Sequence, residues 1–175
     1  TLIGSLKHNR IVCGMTTQPT VNAVQKMHLG YSAIDLATGP GVNKWLGGYW
    51  PTASVLARAD WVKAHPVETQ AVVNAMVATM HWINTHSAAE IADHLPTDFV
   101  SNQLSSKQEY IDALAQDKGQ FLPDGLMPKG GPETVLAVEK LAGKIVKPIN
   151  LDATYTNDFA AKANELLASE AKGGK

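Results

Sequence analysis

The stretch Arg10-Ile-Val-Cys-Gly-Met15 is a short apolar run bounded by polar residues, a pattern typical of a buried β-strand. A second run, Tyr31-Ser-Ala-Ile-Asp-Leu36, follows the helix-compatible segment Pro19–His28. Strand, helix and strand in this order predict a βαβ unit, in which the two strands are parallel and the helix packs on one face of the sheet.

A glycine-rich segment and a third apolar run come next. Ala37–Gly48 contains five Gly or Pro residues among twelve, which predicts a loop with special turn geometry. Trp50–Ala59 has an extended, β-branched and apolar pattern and is the third candidate strand.

The rest of the chain has the patterns of helices. A largely buried helix of about twenty residues is expected to begin at Pro66, where proline suits the first helical position. The other expected helices are an opening fragment, two that begin with capping boxes and two near the end: Thr1–Lys7, Ser87-Ala-Ala-Glu90, Ser106-Lys-Gln-Glu109 onward, Gly131–Gly143 and Thr156–Ser169. A sheet of three strands is too small to cover the apolar faces of so many amphipathic helices. The chain therefore looks like the second half of something larger, and we expect the missing strands to come from a preceding segment or from a second copy of the chain.

Composition argues against several classes of partner. Fifteen Lys and Arg residues stand against sixteen Asp and Glu residues without a run of either sign, so nucleic acid and anionic membrane surfaces are not expected partners. No apolar stretch approaches the ~20 residues that span a bilayer. The first residue, Thr1, is compatible with a processed terminus or with a cut inside a longer protein.

No constellation of catalytic or metal-binding residues is evident. The six histidines lack the spacing that places two imidazoles on one helix face beside an acid, and no dinucleotide or Walker motif occurs. The single cysteine, Cys13, cannot form an internal disulfide and is interpreted as a small buried hydrophobe within the first strand. We therefore expect no catalytic residue, no metal and no cofactor.

The segment Met15-Thr-Thr-Gln-Pro-Thr20 is the strongest candidate site. It lies where a strand ends and a helix begins, and open α/β sheets bind ligands at the carboxyl ends of their strands. Pro19 at the first helical position would leave the amides of Thr20, Val21 and Asn22 available to a ligand. This interpretation makes Thr16, Thr17, Gln18 and Thr20 ligand-binding residues. An ordinary strand-to-helix turn explains the same residues equally well.

Aromatic residues provide weaker candidates. Trp45, Tyr49 and Trp50 crowd the glycine-rich segment, and aromatic walls with a few polar groups are typical of small-ligand pockets. Packing of the loop onto its own domain is the alternative for at least one of them. Trp61 and Trp82 are expected in the core.

Several segments in this order resemble the periplasmic substrate-binding proteins of ABC importers, in the group associated with nitrate, sulfonate, taurine and thiamine-precursor uptake. The resemblance rests on four segments, Leu6–Thr20, Gly30–Leu36, Tyr49–Leu56 and Trp61–Pro66, and continues through Lys129-Gly-Gly-Pro132 and Leu151–Phe159. Asn9, Ile11 and Val12 depart from it, because such proteins usually carry Gly, a hydrophobic residue and Asp there.

This resemblance implies a type II periplasmic-binding-protein-like α/β clamp, of which the chain has the second half only: few parallel strands flanked by many helices. Residues 1–36 would be the tail of the second lobe, 37–48 a crossing loop and 49–175 the returning part of the first lobe. It further implies a periplasmic or extracytoplasmic, non-enzymatic protein that captures a small anionic or polar ligand between lobes and docks on a membrane permease. An enzyme or sensor domain reusing this fold, or a fragment that only self-assembles, are the alternatives.

Overall fold

The structure, a computed structural model, describes residues 1–102 and 105–173, and helix is almost the only regular secondary structure among them. The chain is 59% helix and 1% strand. Its α-helices are α1 Leu2–Lys7, α2 Thr20–Lys26, α3 Gly39–Leu46, α4 Ala59–Ala64, α5 Pro66–Thr85, α6 Ala88–Asp93, α7 Thr97–Val100, α8 Lys107–Asp117, α9 Gly131–Leu141 and α10 Asp158–Gly173. Short 3₁₀ helices cover Lys118–Gln120 and Leu151–Ala153.

The predicted α/β clamp with parallel strands is wrong. Across the described residues the strand pairing consists of an isolated antiparallel bridge between Asn102 and Ser105, and no sheet forms. The runs predicted as strands, 10–15, 31–36 and 50–59, lie mostly in irregular or bent chain without a strand partner. A strand is stable only when neighbours satisfy its backbone groups and cover its side chains. Within the described residues these runs have no strand partner, and most of their side chains are exposed.

The glycine-rich segment is a helix rather than a loop. The side chain of Thr38 accepts a hydrogen bond from the amide of Gly41 at 3.1 Å and caps the N-terminus of α3. Pro40 lies in the first turn, where a backbone N–H would have no acceptor within the helix, so proline is tolerated there. Gly47, at φ +82°, ends the helix in the left-handed conformation that favours glycine. Capping residues at both ends thus outweigh the low helix propensity of the glycines between them.

The chain divides into two compact units, of which unit 1 comprises Thr1–Asp35 and His86–Lys118. Here α6 packs against α8, and both begin with the expected capping boxes, at Ser87 and Ser106. The buried residues of this unit are Ala88, Ile91, Ala92, Val100, Ser105 and Ala113. An ion pair between Lys26 and Glu109 joins α2 to α8.

Unit 2 comprises Leu36–Thr85 and Gly119–Lys175 and is built on the pairing of α5 with α10. Its small core contains Val77, Ala160 and Ala163, with Val73, Met80, Leu126 and Leu167 packed around them. Helix α5 begins at Pro66 and runs for 20 residues, as predicted. The prediction that α5 is largely buried is wrong, because Val77 is its one buried residue, whereas Val72 and Met76 are exposed.

The assignment of residues 1–36, 37–48 and 49–175 to parts of two lobes stays a prediction. The structure places the first boundary between the units after Asp35 and returns the chain to unit 1 from His86 to Lys118.

Candidate functional site

In unit 1, the candidate segment 16–20 forms a turn that is fixed by its own side chains. The Gln18–Pro19 peptide bond is cis. Gln18 donates through Nε2 to Oδ1 of Asn22 at 3.0 Å, and its Oε1 accepts from the amide of Asn22 at 3.2 Å. This reciprocal pair satisfies the start of α2 and ties the turn to the helix.

The expected set of free helix amides is therefore mostly occupied. Pro19 is the N-cap of α2 rather than its first residue. The amide of Val21 donates to the carbonyl of Thr17 at 3.3 Å, and that of Asn22 is held by Gln18. Gln18, which the sequence interpretation had considered a weak cap, thus satisfies the amide of Asn22, and of the three expected donors the amide of Thr20 is left without a partner in the described chain.

Thr16 and Thr17 are the exposed members of this segment, whereas Gln18 and Thr20 are half-buried. The hydroxyl groups of Thr16 and Thr17 have no hydrogen-bond partner among residues 1–102 and 105–173. They directly follow Met15, whose side chain is also exposed. The role of all four residues in ligand binding stays a prediction. The strand end and the free amides of Val21 and Asn22 on which it was based are absent from the described chain, and two exposed hydroxyl groups beside the turn remain.

The three aromatic candidates lie in unit 2, around the end of α3. The ammonium of Lys44 lies 4.7 Å from the centre of the Trp45 ring, which is exposed. Tyr49 is also exposed and Trp50 is half-buried. Gly48 lies so close to Thr134 of α9 that a Cβ would fall 2.5 Å from its hydroxyl oxygen. This close approach fixes the path of the chain into Tyr49 and Trp50.

Tyr49 lines an open cleft of about 390 Å³ within unit 2. The rest of the lining comes from the segment before α9, namely Leu122, Pro123, Asp124, Leu126, Met127, Pro128 and Lys129. Mixed apolar walls with one acid, one base and a tyrosine hydroxyl suit a small polar ligand.

The wall of this cleft is held by amide side chains of the α10 region. Asn164 donates to the carbonyl of Asp124 at 2.8 Å, and the amide of Met127 donates to Oδ1 of Asn157 at 2.9 Å. Gly125, at φ +63°, allows the turn between them. The sequence analysis missed this segment, although Pro123-Asp-Gly125 is a turn signal that could have marked it.

A second open depression, of about 490 Å³, is lined by residues of α4 and its flanks. Arg58 donates to both carboxylate oxygens of Asp60, at 3.0 and 2.6 Å, and this contact holds the pKa of Asp60 below its ordinary value. The ring of Trp61 stacks on His65 with centroids 4.8 Å apart. The prediction of Trp61 as a core residue is wrong, since 43% of it is exposed, whereas Trp82 is half-buried.

The interpretation of Cys13 as a buried hydrophobe is also wrong, because Cys13 is exposed. Over residues 1–102 and 105–173, no group of three or more His, Cys, Asp or Glu side chains is arranged to hold a metal ion. Within the same ranges, no helix combines the length and the apolar character needed to cross a membrane.

Among known proteins, a solved structure from Bordetella bronchiseptica RB50 has a similar backbone. The two superpose with a TM-score of 0.81 at 25% sequence identity, over 95% of this chain and 52% of the Bordetella chain. The present chain thus spans about half the length of that protein. No protein-family model and no curated protein sequence matches the chain.

Proposed function

We propose that the chain is the solute-binding component of an ABC importer outside the cytoplasm, or a part of one, and that it captures a small anionic or polar ligand such as nitrate, a sulfonate or taurine. A membrane permease would be its partner in transport. The proposal takes its ligand class and its partner from the sequence resemblance, which covers most of the chain.

One structural observation carries the binding role. Thr16 and Thr17 present two accessible hydroxyl groups without a hydrogen-bond partner in the described chain, next to a turn that the Gln18–Asn22 pair holds in place. Because the turn directly after these residues is fixed, less backbone freedom is lost when a ligand binds beside it, and more of the interaction energy appears as affinity. Hydroxyl groups suit the oxygens of a nitrate or a sulfonate, because each can donate one hydrogen bond.

A thermal-shift screen tests the proposal. The 175-residue chain is heated with nitrate, sulfonates, taurine, bicarbonate and pyrimidines, each added separately. A ligand that binds only the folded chain raises its stability by about 2.7 kcal/mol at a concentration of a hundred times Kd. We expect at least one of these compounds to raise the melting temperature.

Matched variants assign the effect to the candidate residues. Thr16→Val and Thr17→Val remove a hydroxyl group at nearly constant shape, and each should weaken binding by about 1 kcal/mol or more. Thr97→Val is the control, because Thr97 is an exposed threonine of the same unit whose hydroxyl group has no partner in the described residues. The proposed site is refuted if all three variants respond alike to the ligand, and the proposed ligand class is refuted if no compound shifts the melting temperature.

A further inference from the structure

The cleft of about 390 Å³ in unit 2 carries one acid and one base that are not paired with each other. Asp124 and Lys129 both line it, and neither forms an ion pair within residues 1–102 and 105–173. The rest of the lining consists of Leu, Pro and Met side chains together with Tyr49. A ligand in this cleft therefore meets a negative charge, a positive charge and an apolar wall.

Asp124 is the fixed charge of the cleft. It is half-buried, and its backbone carbonyl accepts from Nδ2 of Asn164 at 2.8 Å. Its Oδ1 accepts from the amide of Leu126 at 3.1 Å, whereas its Oδ2 has no hydrogen-bond partner in the described chain. A carboxylate can accept several hydrogen bonds, so a cationic group in the cleft can donate to an acceptor whose position is already set.

Lys129 provides an adjustable charge on a fixed turn. Its side chain is exposed, and among the described residues its ammonium has no partner. The amide of Gly131 donates to the carbonyl of Pro128 at 3.0 Å, and Gly130 takes φ +84° between them. Because the lysine side chain is a long flexible stem, the ammonium can follow an anionic group of a ligand while this backbone stays in place.

Close approaches on both sides of Tyr49 fix its stretch of chain against the start of α9. Gly48 meets Thr134 as described above, and a Cβ on Gly131 would fall 3.3 Å from Cδ of Pro51. The hydroxyl group of Tyr49 has no partner in the part of the chain that the structure describes. Walls that are held in place in this way lose little freedom when a ligand binds.

We propose that this cleft binds a free α-amino acid with an apolar side chain, such as leucine or methionine. The ammonium of the ligand pairs with Asp124, and its carboxylate pairs with Lys129 and the hydroxyl group of Tyr49. Its side chain lies against Leu126 and Met127. The volume is in the lower part of the range of small-ligand pockets, about 300–1,000 Å³. This inference goes beyond the proposed function, since it concerns another ligand class and a separate site in unit 2.

Ligands with a single charge fit the cleft less well. A simple anion such as nitrate could bind Lys129, but the carboxylate of Asp124 on the same cleft would repel it, and a simple cation meets the reverse situation. Glycine satisfies both charges but has no side chain to cover Leu126 and Met127.

Isothermal titration calorimetry of the 175-residue chain tests the inference. L-Leucine and L-methionine are the probes. Three analogues of leucine each lack one feature: leucinamide lacks the carboxylate, 4-methylpentanoate lacks the ammonium and glycine lacks the side chain. We expect the probes to bind, and each analogue to bind at least about tenfold more weakly than L-leucine, because it loses a charged hydrogen bond or the apolar contact.

Charge-removing variants with matched controls locate the site. Asp124→Asn keeps an acceptor for the amide of Leu126, and it and Lys129→Gln should each weaken the binding of L-leucine at least about tenfold. The controls Glu165→Gln and Lys140→Gln change exposed residues of the same unit that lie outside the cleft lining, and should change the affinity by less than about twofold. Circular dichroism of each variant should match that of the parent chain.

Three results would overturn the inference. They are the absence of binding of both probes, binding of leucinamide or 4-methylpentanoate as tight as that of L-leucine, and equal losses of affinity in the cleft variants and their controls. The screen for anions reports on Thr16 and Thr17 in unit 1, so either proposal can fail while the other holds.

Discussion

Replacing Val77 with alanine tests the centre of unit 2 most directly. Val77 is 1% exposed and packs with Ala160 and Ala163 where α5 meets α10. The substitution removes two buried carbon atoms, which costs about 1.6 kcal/mol for transfer and about 2–3 kcal/mol once the residual cavity is included. Calorimetry or urea unfolding of the purified chain should show this loss, with a fall of about 8–15 °C in the melting temperature of unit 2.

Val67→Ala is the matched control on the same helix. Val67 is exposed, and alanine has the higher helix propensity, so the free energy of unfolding should change by no more than about 0.5 kcal/mol. Equal losses in the two variants, or a loss below about 0.5 kcal/mol for Val77→Ala, would refute the assignment of α5 and α10 as the core pair.

A compensating substitution makes the same test more specific. Ala163 is 1% exposed, so Ala163→Val alone should overpack the contact and cost about 1–3 kcal/mol. The double variant Val77→Ala with Ala163→Val moves volume from one helix to the other. We expect its loss in the free energy of unfolding to be smaller than the sum of the losses of the two single variants. Strict additivity would show that the two side chains do not share one packing site.

Three further substitutions test separate parts of the fold. Gly125→Ala should destabilise unit 2 by more than about 1 kcal/mol in urea unfolding, because the residue has φ +63° and its Cβ would lie 2.7 Å from Cε of Met80; an unchanged midpoint would contradict this geometry. Ser106→Ala removes the hydroxyl group that accepts from the amide of Glu109 at 3.3 Å, and should cost unit 1 about 1 kcal/mol, whereas Ser54→Ala, an exposed serine outside the helices, should cost almost nothing. Glu109 bonds to Lys26 and to Ser106, and these contacts lower its pKa to about 2 from an ordinary value of 4.5. Because the folded-state pKa lies below the unfolded one, the stabilisation is present above pH 4.5 and is lost as the pH falls towards 2. The melting temperature of Glu109→Gln should therefore fall less steeply between these two pH values than that of the parent chain. Parallel profiles of melting temperature against pH would argue against the contact.

Most of the helices from Pro66 onward could be predicted because their signals are local, whereas the four-residue helix α7, Thr97–Val100, was not expected. Pro66 begins α5 as expected, and the boxes at Ser87 and Ser106 are both formed in full. Each of these signals depends on residues three or four positions apart, so the sequence contains all the partners that the signal needs. Boundaries near the end were less accurate, since α10 begins at Asp158 rather than near Thr156.

The extended runs show why the fold class could not be predicted. The apolar pattern of Arg10–Met15 indicates a segment suited to burial on both sides, but the pattern does not say which chain provides the cover. In this structure Val12 and Cys13 are exposed. Whether an apolar run is buried depends on partners that lie far away in sequence or outside the chain, and the run itself does not identify them. The error at α3 has the opposite origin, because the local caps at Thr38 and Gly47 were present in the sequence and glycine content was given more weight.

The role of Thr16 to Thr20 in ligand binding stays a prediction. Strand-end reasoning selected these residues, but no strand precedes them in the described chain, where Thr16 and Thr17 are exposed and their hydroxyl groups have no partner. Two of the three expected helix amides are occupied instead. The amide of Val21 donates to the carbonyl of Thr17, and that of Asn22 donates to the side chain of Gln18, four residues earlier, a pairing that propensity arguments do not consider. The cleft beside Tyr49 depends on Asn157 and Asn164, which lie more than a hundred residues further along the chain and could not be connected with it from local patterns.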